Sequence, residues 1–207
     1  MRFFAHIVFL IPLVLPLPSY ANDFGPTKRL AVGDILRGRF TQEHYMAGVS
    51  KPLHSEGHFV VAPGYGLIWA VEKPLPLTIV VTADGMSQSV AGVPVLHKST
   101  TQMPFLARVT SLLSAALGGN WKTLESDFTL TREGNAKQWR VKLVPHDPKT
   151  KGMPFRELTA KGTRFVDRAE LTRPDNAPDI FTFKDQTITP SPPTEIETAF
   201  FSTVQTP

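Results

Sequence analysis

The sequence predicts a mainly β protein of the α+β class: an antiparallel meander, one helix, then a return to strands. Three stretches carry that expectation. Residues 57–76, GHFVVAPGYGLIWAVEKPLP, read as two strands around a Pro63-Gly64 turn, since Pro presets φ and Gly tolerates positive φ. Residues 77–82, LTIVVT, are rich in β-branched side chains, which suit a pleated surface. Residues 105–117 instead place Phe105, Leu106, Val109, Leu112, Leu113, Ala116 and Leu117 at spacings of three and four, the period of a helix.

The elements follow in order. Residues 22–34 start irregularly, with a short helix compatible with Thr27-Lys28-Arg29-Leu30. Residues 36–46 form a strand with Phe40, Gln42 and His44 on one face and Arg39, Thr41 and Glu43 on the other. Residues 47–52 turn. In the hairpin, Phe59 and Val61 share a face, as do Leu67, Trp69 and Val71. Ile68 and Ala70 make the other face apolar too, so the sheet needs cover on both sides, or a cavity on one. Pro74 and Pro76 end the second strand, because Pro cannot donate to a ladder. Asp84-Gly85 is a hairpin turn, and residues 87–90 resume the sheet. That makes four or five strands in a meander.

Thr101 can cap the helix, Pro104 lies in its first turn, and Gly118-Gly119 stops it. Only Arg108 is charged between Met103 and Leu117, so the helix expects contact over much of its circumference. Periodicity alone favours a core helix packed on the sheet. Beyond Trp121, residues 128–131 and 138–144 alternate around a Glu133-Gly134-Asn135 turn, with Trp139, Val141 and Leu143 opposite Arg140 and Lys142. Residues 146–154 read as a loop. Residues 156–162, 164–171 and 181–189 read as weaker strands, separated by loops at 162–163 and 172–179. The tail from Pro190 carries Pro192-Pro193 and reads as extended or partly disordered over 191–207.

The chain has 207 residues, 42% hydrophobic, enough for one domain with a full core. Arg2, an apolar run over residues 3–17 and Ser19-Tyr20-Ala21 make a secretory signal peptide over residues 1–21, cleaved after Ala21. The mature protein is then expected in a bacterial periplasm or outside the cell. Cysteine is absent, which excludes a disulfide framework, a thiolate metal site and a Cys nucleophile. A net charge of +4 and a pI near 9.4 are a mild bias, compatible with anionic membrane surfaces.

Chemistry is sparse. His54 and His58 have the spacing of a helical zinc pair but lie in an extended segment, about 13 Å apart at ~3.3 Å per residue, too far for one metal. No nucleophile elbow, zinc-protease pair, Walker loop or dinucleotide fingerprint is present. Carboxylates are scattered, and cations are not interleaved with aromatics, so neither a catalytic pair, a cofactor nor nucleic acid is expected. What remains is apolar surface, buried as a core or kept as a pocket for an apolar ligand.

These residues resemble a family. Gly38-Arg39-Phe40-Thr41-Gln42 is similar to the Phe-x-Gln strand of LolA-type outer-membrane lipoprotein carriers. Residues 57–64 followed by Leu67-Ile68-Trp69 and Pro74 resemble the family's Gly-x-Phe, Arg-Pro-Gly, Trp and Pro hairpin. Residues 80–85 resemble its strand ending in Asp-Gly, and the helix and then residues 139–145 continue in family order. The resemblance spans residues 36–183.

It implies an unclosed antiparallel β-barrel with an apolar concave face under a helical lid, over residues 22–190. It also implies a periplasmic carrier that shields acyl chains on the way to the outer membrane, touching an inner-membrane donor and an outer-membrane acceptor and working as a monomer without a cofactor. With alternation setting the faces, the expected cavity residues are Phe40, Phe59, Val61, Leu67, Trp69, Ile79, Val81, Trp139, Val141 and Leu143. The expected lid residues are Phe105, Leu106, Val109, Leu113 and Leu117. One departure stands out: the family Arg before Pro-Gly, which helps latch the lid, is Ala62 here. The alternatives are a lipid-sensing adaptor that signals to a protein partner and, behind it, a cell-envelope enzyme.

Overall fold

The computed structural model describes residues 30–99, 115, 121–146 and 155–204. Eleven strands form one antiparallel sheet: β1 (Asp34–His44), β2 (Leu53–Ala62), β3 (Gly66–Lys73), β4 (Leu77–Val81), β5 (Gly85–Val90), β6 (Val93–Ser99), β7 (Phe128–Asn135), β8 (Gln138–Pro145), β9 (Glu157–Gly162), β10 (Val166–Thr172) and β11 (Pro178–Pro190). A 3-10 turn, Trp121–Leu124, precedes β7, and one helix, α1 (Glu195–Ser202), follows β11.

The spatial order is β6-β5-β4-β3-β2-β1-β11-β10-β9-β8-β7. It consists of two meanders, each built from consecutive hairpins, joined where β1 pairs with β11. The end strands β6 and β7 do not pair with each other, so the sheet is unclosed.

Short range chemistry explains the hairpins. Gly64 and Gly66 have positive φ at the β2–β3 turn, as the Pro-Gly-Tyr-Gly sequence requires. Ala91 and Gly92 both have positive φ between β5 and β6, the mirror-image two-residue turn that matches strand twist.

Each face of the sheet has its own core. One buried cluster joins Leu36, Phe40, Phe59, Val61, Leu67, Trp139, Val141, Leu143 and their neighbours on the first face. A second, on the opposite face, joins Ile35, Val60, Ala62, Ile68 and Val80 to Phe201 within α1 and Val204 just beyond it. The two-sided apolarity of β2 and β3 is answered by strand alternation: odd and even positions feed different cores.

Three expectations change. Strand β6 was not expected, because its exposed side chains and a register shift at Gln88/Ser89 erase the period-two signal. The turn expected at Glu133-Gly134-Asn135 moves on by two residues. Those residues finish β7, and Asn135 Oδ1 accepts from the amides of Lys137 and Gln138 at 2.9 and 3.2 Å. Finally, the tail is not extended throughout. Thr194 and Glu197 form a capping box, with Glu197 N donating to Thr194 Oγ1 and Thr194 N donating to Glu197 Oε2. An eight-residue helix is marginal alone; packing of Phe201 on the second core holds it.

Candidate functional site

The first face is organised in cross-strand rows. Leu36, Val61, Leu67 and Val81 lie in register across β1 to β4. Gly38, Phe59, Trp69 and Ile79 form the next row, and Phe40, Gly57, Val71 and Leu77 the third. Each glycine stands beside a large ring. A Cβ on Gly38 would come within 2.7 Å of the Phe59 ring, so the missing side chain is what lets Phe59 lie flat across β1. Gly57 stands opposite Phe40 in the ladder, and a Cβ there would meet the Ala70 carbonyl of β3.

Those rings form a continuous aromatic cluster. Phe40 stacks on Trp69 with centroids 3.8 Å apart, and Phe59 lies 6.1 Å from Trp69. Phe181 and Phe183, two residues apart on β11, meet Trp69 edge-on at 5.7 and 6.3 Å. Aromatic pairs of this kind add about 0.5–1.5 kcal/mol each beyond area burial.

The second meander continues the face. Trp139, Val141 and Leu143 stand opposite Gly162, Ala160 and Leu158, and these lead through Ala169 and Leu171 to β11. Small residues opposite large ones let the layer interdigitate. Trp121 and Leu124 of the 3-10 turn, together with Phe128 and Phe155, pack into the same cluster.

The expected cavity residues therefore fall on one face. Phe40, Phe59, Val61, Leu67, Trp139, Val141 and Leu143 are buried in its cluster, and Trp69 packs against it. Val81 is buried and Ile79 half-buried, and both share the face by register. The expected lid residues Phe105, Leu106, Val109, Leu113 and Leu117 lie outside the described residues. Ala115 is described, is helical, and joins the cluster at 6% exposure.

Residues absent from the expected set also belong here: Leu36, Trp121, Leu158, Val166, Phe181 and Phe183. The alternation of Phe181 and Phe183 was a readable signal. Trp121 was not, because a short 3-10 turn has no period to read.

Polar groups mark the end of the face at the β1–β11 pair. His44 Nδ1 contacts Asp179 Oδ1, and Arg173 donates from Nη1 to Asp179 at 2.9 Å and from Nη2 to the Tyr45 carbonyl. His44 and Asp179 are directly opposed in the ladder.

The opposite face explains Ala62. Its side chain points into the second core, 2% exposed, beside Ile35, Val60 and Phe201. An arginine there would sit under α1 rather than over the first face. The helix is tied to the sheet by Arg37, whose Nε and Nη2 each donate to the Glu197 carboxylate at 2.7 Å, with Nη1 donating to Thr189. The Arg37 guanidinium beside Glu197 holds that carboxyl below the usual range, and the carboxylate raises Arg37 in return. A groove of about 400 Å³ runs beside the helix, lined by Arg37, Arg39, His58, Ile196 and Phe200 among others. In it His58 and Arg39 both bind Glu72, at 2.8 Å each, so His58 has a carboxylate partner rather than His54.

Two solved structures are similar at 8% identity. One, a LolA superfamily protein from Nitrosomonas europaea, aligns over 81% of this chain and 91% of its own with a TM-score of 0.44. The other, a domain assigned to outer membrane lipoprotein sorting from Vibrio parahaemolyticus, aligns over 84% and 92% with a TM-score of 0.39. No curated protein matches the chain. The model of the family described as "Outer membrane lipoprotein carrier protein LolA-like" matches residues 27–179, more than half of the 207 residues, and on that match the chain belongs to the LolA-like outer membrane lipoprotein carrier family.

Proposed function

We propose that this protein is a periplasmic carrier that shelters the acyl chains of a lipoprotein or another lipid against the first face of its sheet. One observation carries the reading: an apolar layer that runs without a break from β3 to β7 on a sheet that never closes. A closed barrel of this composition would be a filled core. An open sheet leaves so wide an apolar layer a side from which an apolar guest can enter. Each CH₂ taken out of water is worth about 0.8 kcal/mol, so a diacylated protein crosses an aqueous compartment only inside such a sheath.

On this reading Phe40, Phe59, Val61, Leu67, Trp69, Ile79, Val81, Trp139, Val141 and Leu143 contact the acyl chains, and residues 105–117 cover them. The cargo passes from an inner-membrane donor to an outer-membrane acceptor. On this reading residues 1–21 are a signal peptide that directs the chain across the inner membrane. The test is native mass spectrometry of the mature protein taken from a periplasmic extract without detergent. Bound masses of acyl lipids or an acylated protein support the carrier. A bare mass, with no uptake of added lipid, sinks it and turns attention to a lipid-independent adaptor.

A further inference from the structure

Among the described residues, three buried side-chain polar atoms have no hydrogen-bond partner: Trp121 Nε1, Arg132 Nε and Gln186 Oε1. Unmatched buried polar atoms are rare in folded proteins and call for an explanation. The first two are both donors, and both belong to the β7–β8 end of the sheet, linked through Trp139, Val141 and Glu125. Trp121 packs its ring on Trp139, with centroids 6.0 Å apart. Arg132 stands directly opposite Val141 on the first face, one step along β8 from Trp139. Its Nη2 donates to Glu125 Oε1 at 2.6 Å, and Glu125 follows the turn that begins at Trp121. Gln186 lies apart, with its Nε2 on the Val166 carbonyl.

The chemistry of the pair is specific. An indole N–H only donates, and a guanidinium has no acceptor, so neither atom can satisfy the other. Trp121 is 3% exposed and lies in the apolar cluster. The neighbouring ring, Trp139, already donates its own Nε1–H to the Thr163 carbonyl at 2.6 Å. The missing component is an acceptor oxygen. It need not be charged, because Glu125 already neutralises Arg132, and a ligand carboxylate or phosphate would stand close to that same acid. A carbonyl oxygen, with two lone pairs, can take both N–H groups. In an acyl cargo that atom sits where the hydrocarbon chain joins its ester or amide.

We propose that Trp121 Nε1–H and Arg132 Nε–H form a polar anchor within the apolar face that binds the uncharged carbonyl oxygen at the root of an acyl chain. The proposal rests on the carrier reading and adds a position to it: the chain lies along the face, with its linkage fixed at the β7–β8 end.

The test compares two probes that differ only in a carbonyl oxygen, replaced by two hydrogens in the second. Binding of 1-monooleoylglycerol, an ester, and 1-O-oleylglycerol, its ether analogue, is measured by displacement of an apolar naphthylamine dye from the full mature chain. The wild type should bind the ester at least about fivefold more tightly, the ratio expected of one net hydrogen bond. Trp121→Phe keeps an aromatic ring and removes one of the two N–H groups, and should lower the ester-to-ether ratio. Arg132→Lys, which keeps the charge and removes Nε–H, should lower the same ratio, and it decides the matter if the tryptophan variant fails to fold. Equal ester and ether affinity in the wild type overturns the anchor while leaving the carrier intact, as does an unchanged ratio in the folded variants. A wild type that binds neither lipid nor dye overturns the carrier reading and the anchor with it.

Discussion

Replacing Glu197 by Gln isolates the charge that fastens the C-terminal helix. Glutamine has nearly the same shape and can still close the capping box at the third helical position. What disappears is the carboxylate facing Arg37, which takes two bonds of 2.7 Å on side chains 29% and 11% exposed. Hydrogen bonds to charged groups are worth about 1.5–3 kcal/mol, and partial exposure of the arginine lowers the figure. The expected cost is ~2 kcal/mol. Because α1 is only eight residues long and packs against one face of the sheet, the loss should appear first as local opening. Amides of residues 198–204 should lose hydrogen-exchange protection by about 30-fold, at tenfold per 1.4 kcal/mol. The effect also has a pH signature. Arg37 lowers the Glu197 carboxyl below its ordinary value, so the pair's stabilisation is complete above the unfolded pKa of ~4.3. It fades as pH falls through the depressed folded value. The gap between wild type and Glu197→Gln should be constant at neutral pH and shrink in acid. A double-mutant cycle with Arg37→Met should give a coupling of at least about 1 kcal/mol. Unchanged exchange in residues 198–204 and additive single mutants would refute the fastening role.

Other substitutions probe the two faces. Ala62→Arg puts a cation into the core beneath α1, where burial without a partner is costly, and should lower stability by at least ~2 kcal/mol in a urea titration. Gly57→Ala would drive its Cβ into the Ala70 carbonyl, so the β2–β3 ladder must shift and the melting temperature should fall; an unchanged melt would mean that the bulge there is slack. Trp69→Ala removes the ring shared by Phe40, Phe59, Phe181 and Phe183 and should cost about 3–5 kcal/mol in a filled site. A markedly smaller cost, with added lipid binding, would mean that the layer beside it is already open. Leu113→Glu should leave the sheet folded and weaken binding of an apolar dye, and equal affinity in the folded variant would count against residues 105–117 as a cover.

Strand alternation was legible because it is local. Leu67, Trp69 and Val71 must share a side whatever pairs with them, and the hairpin chemistry of residues 63–66 sets the register of β2 on β3. Period two therefore predicted the common face of the ten expected residues, and the odd–even split of β3 announced that both faces would need cover. Where a strand lacked the period, as in β6 with Pro94 and a register shift, nothing in the sequence marked it.

The tail shows the other limit. Thr194 and Glu197 had the spacing of a capping box, but the prolines before them read as extended chain, and eight residues do not hold a helix by propensity. The helix exists because Phe201 and Val204 reach a core built more than a hundred residues earlier, and because Arg37 and Glu197, 160 positions apart, meet. The placing of Trp121 against Trp139, and of Arg132 opposite Val141, is likewise a matter of pairing between separate segments. The sequence by itself determined most of the strands, which side chains share a face and that the surface is apolar, since these follow from neighbours along the chain. Only the tertiary structure decided which face the helix covers, why Ala62 replaces a charge and where two donors are left without an acceptor, because burial and partnership depend on what comes close in space.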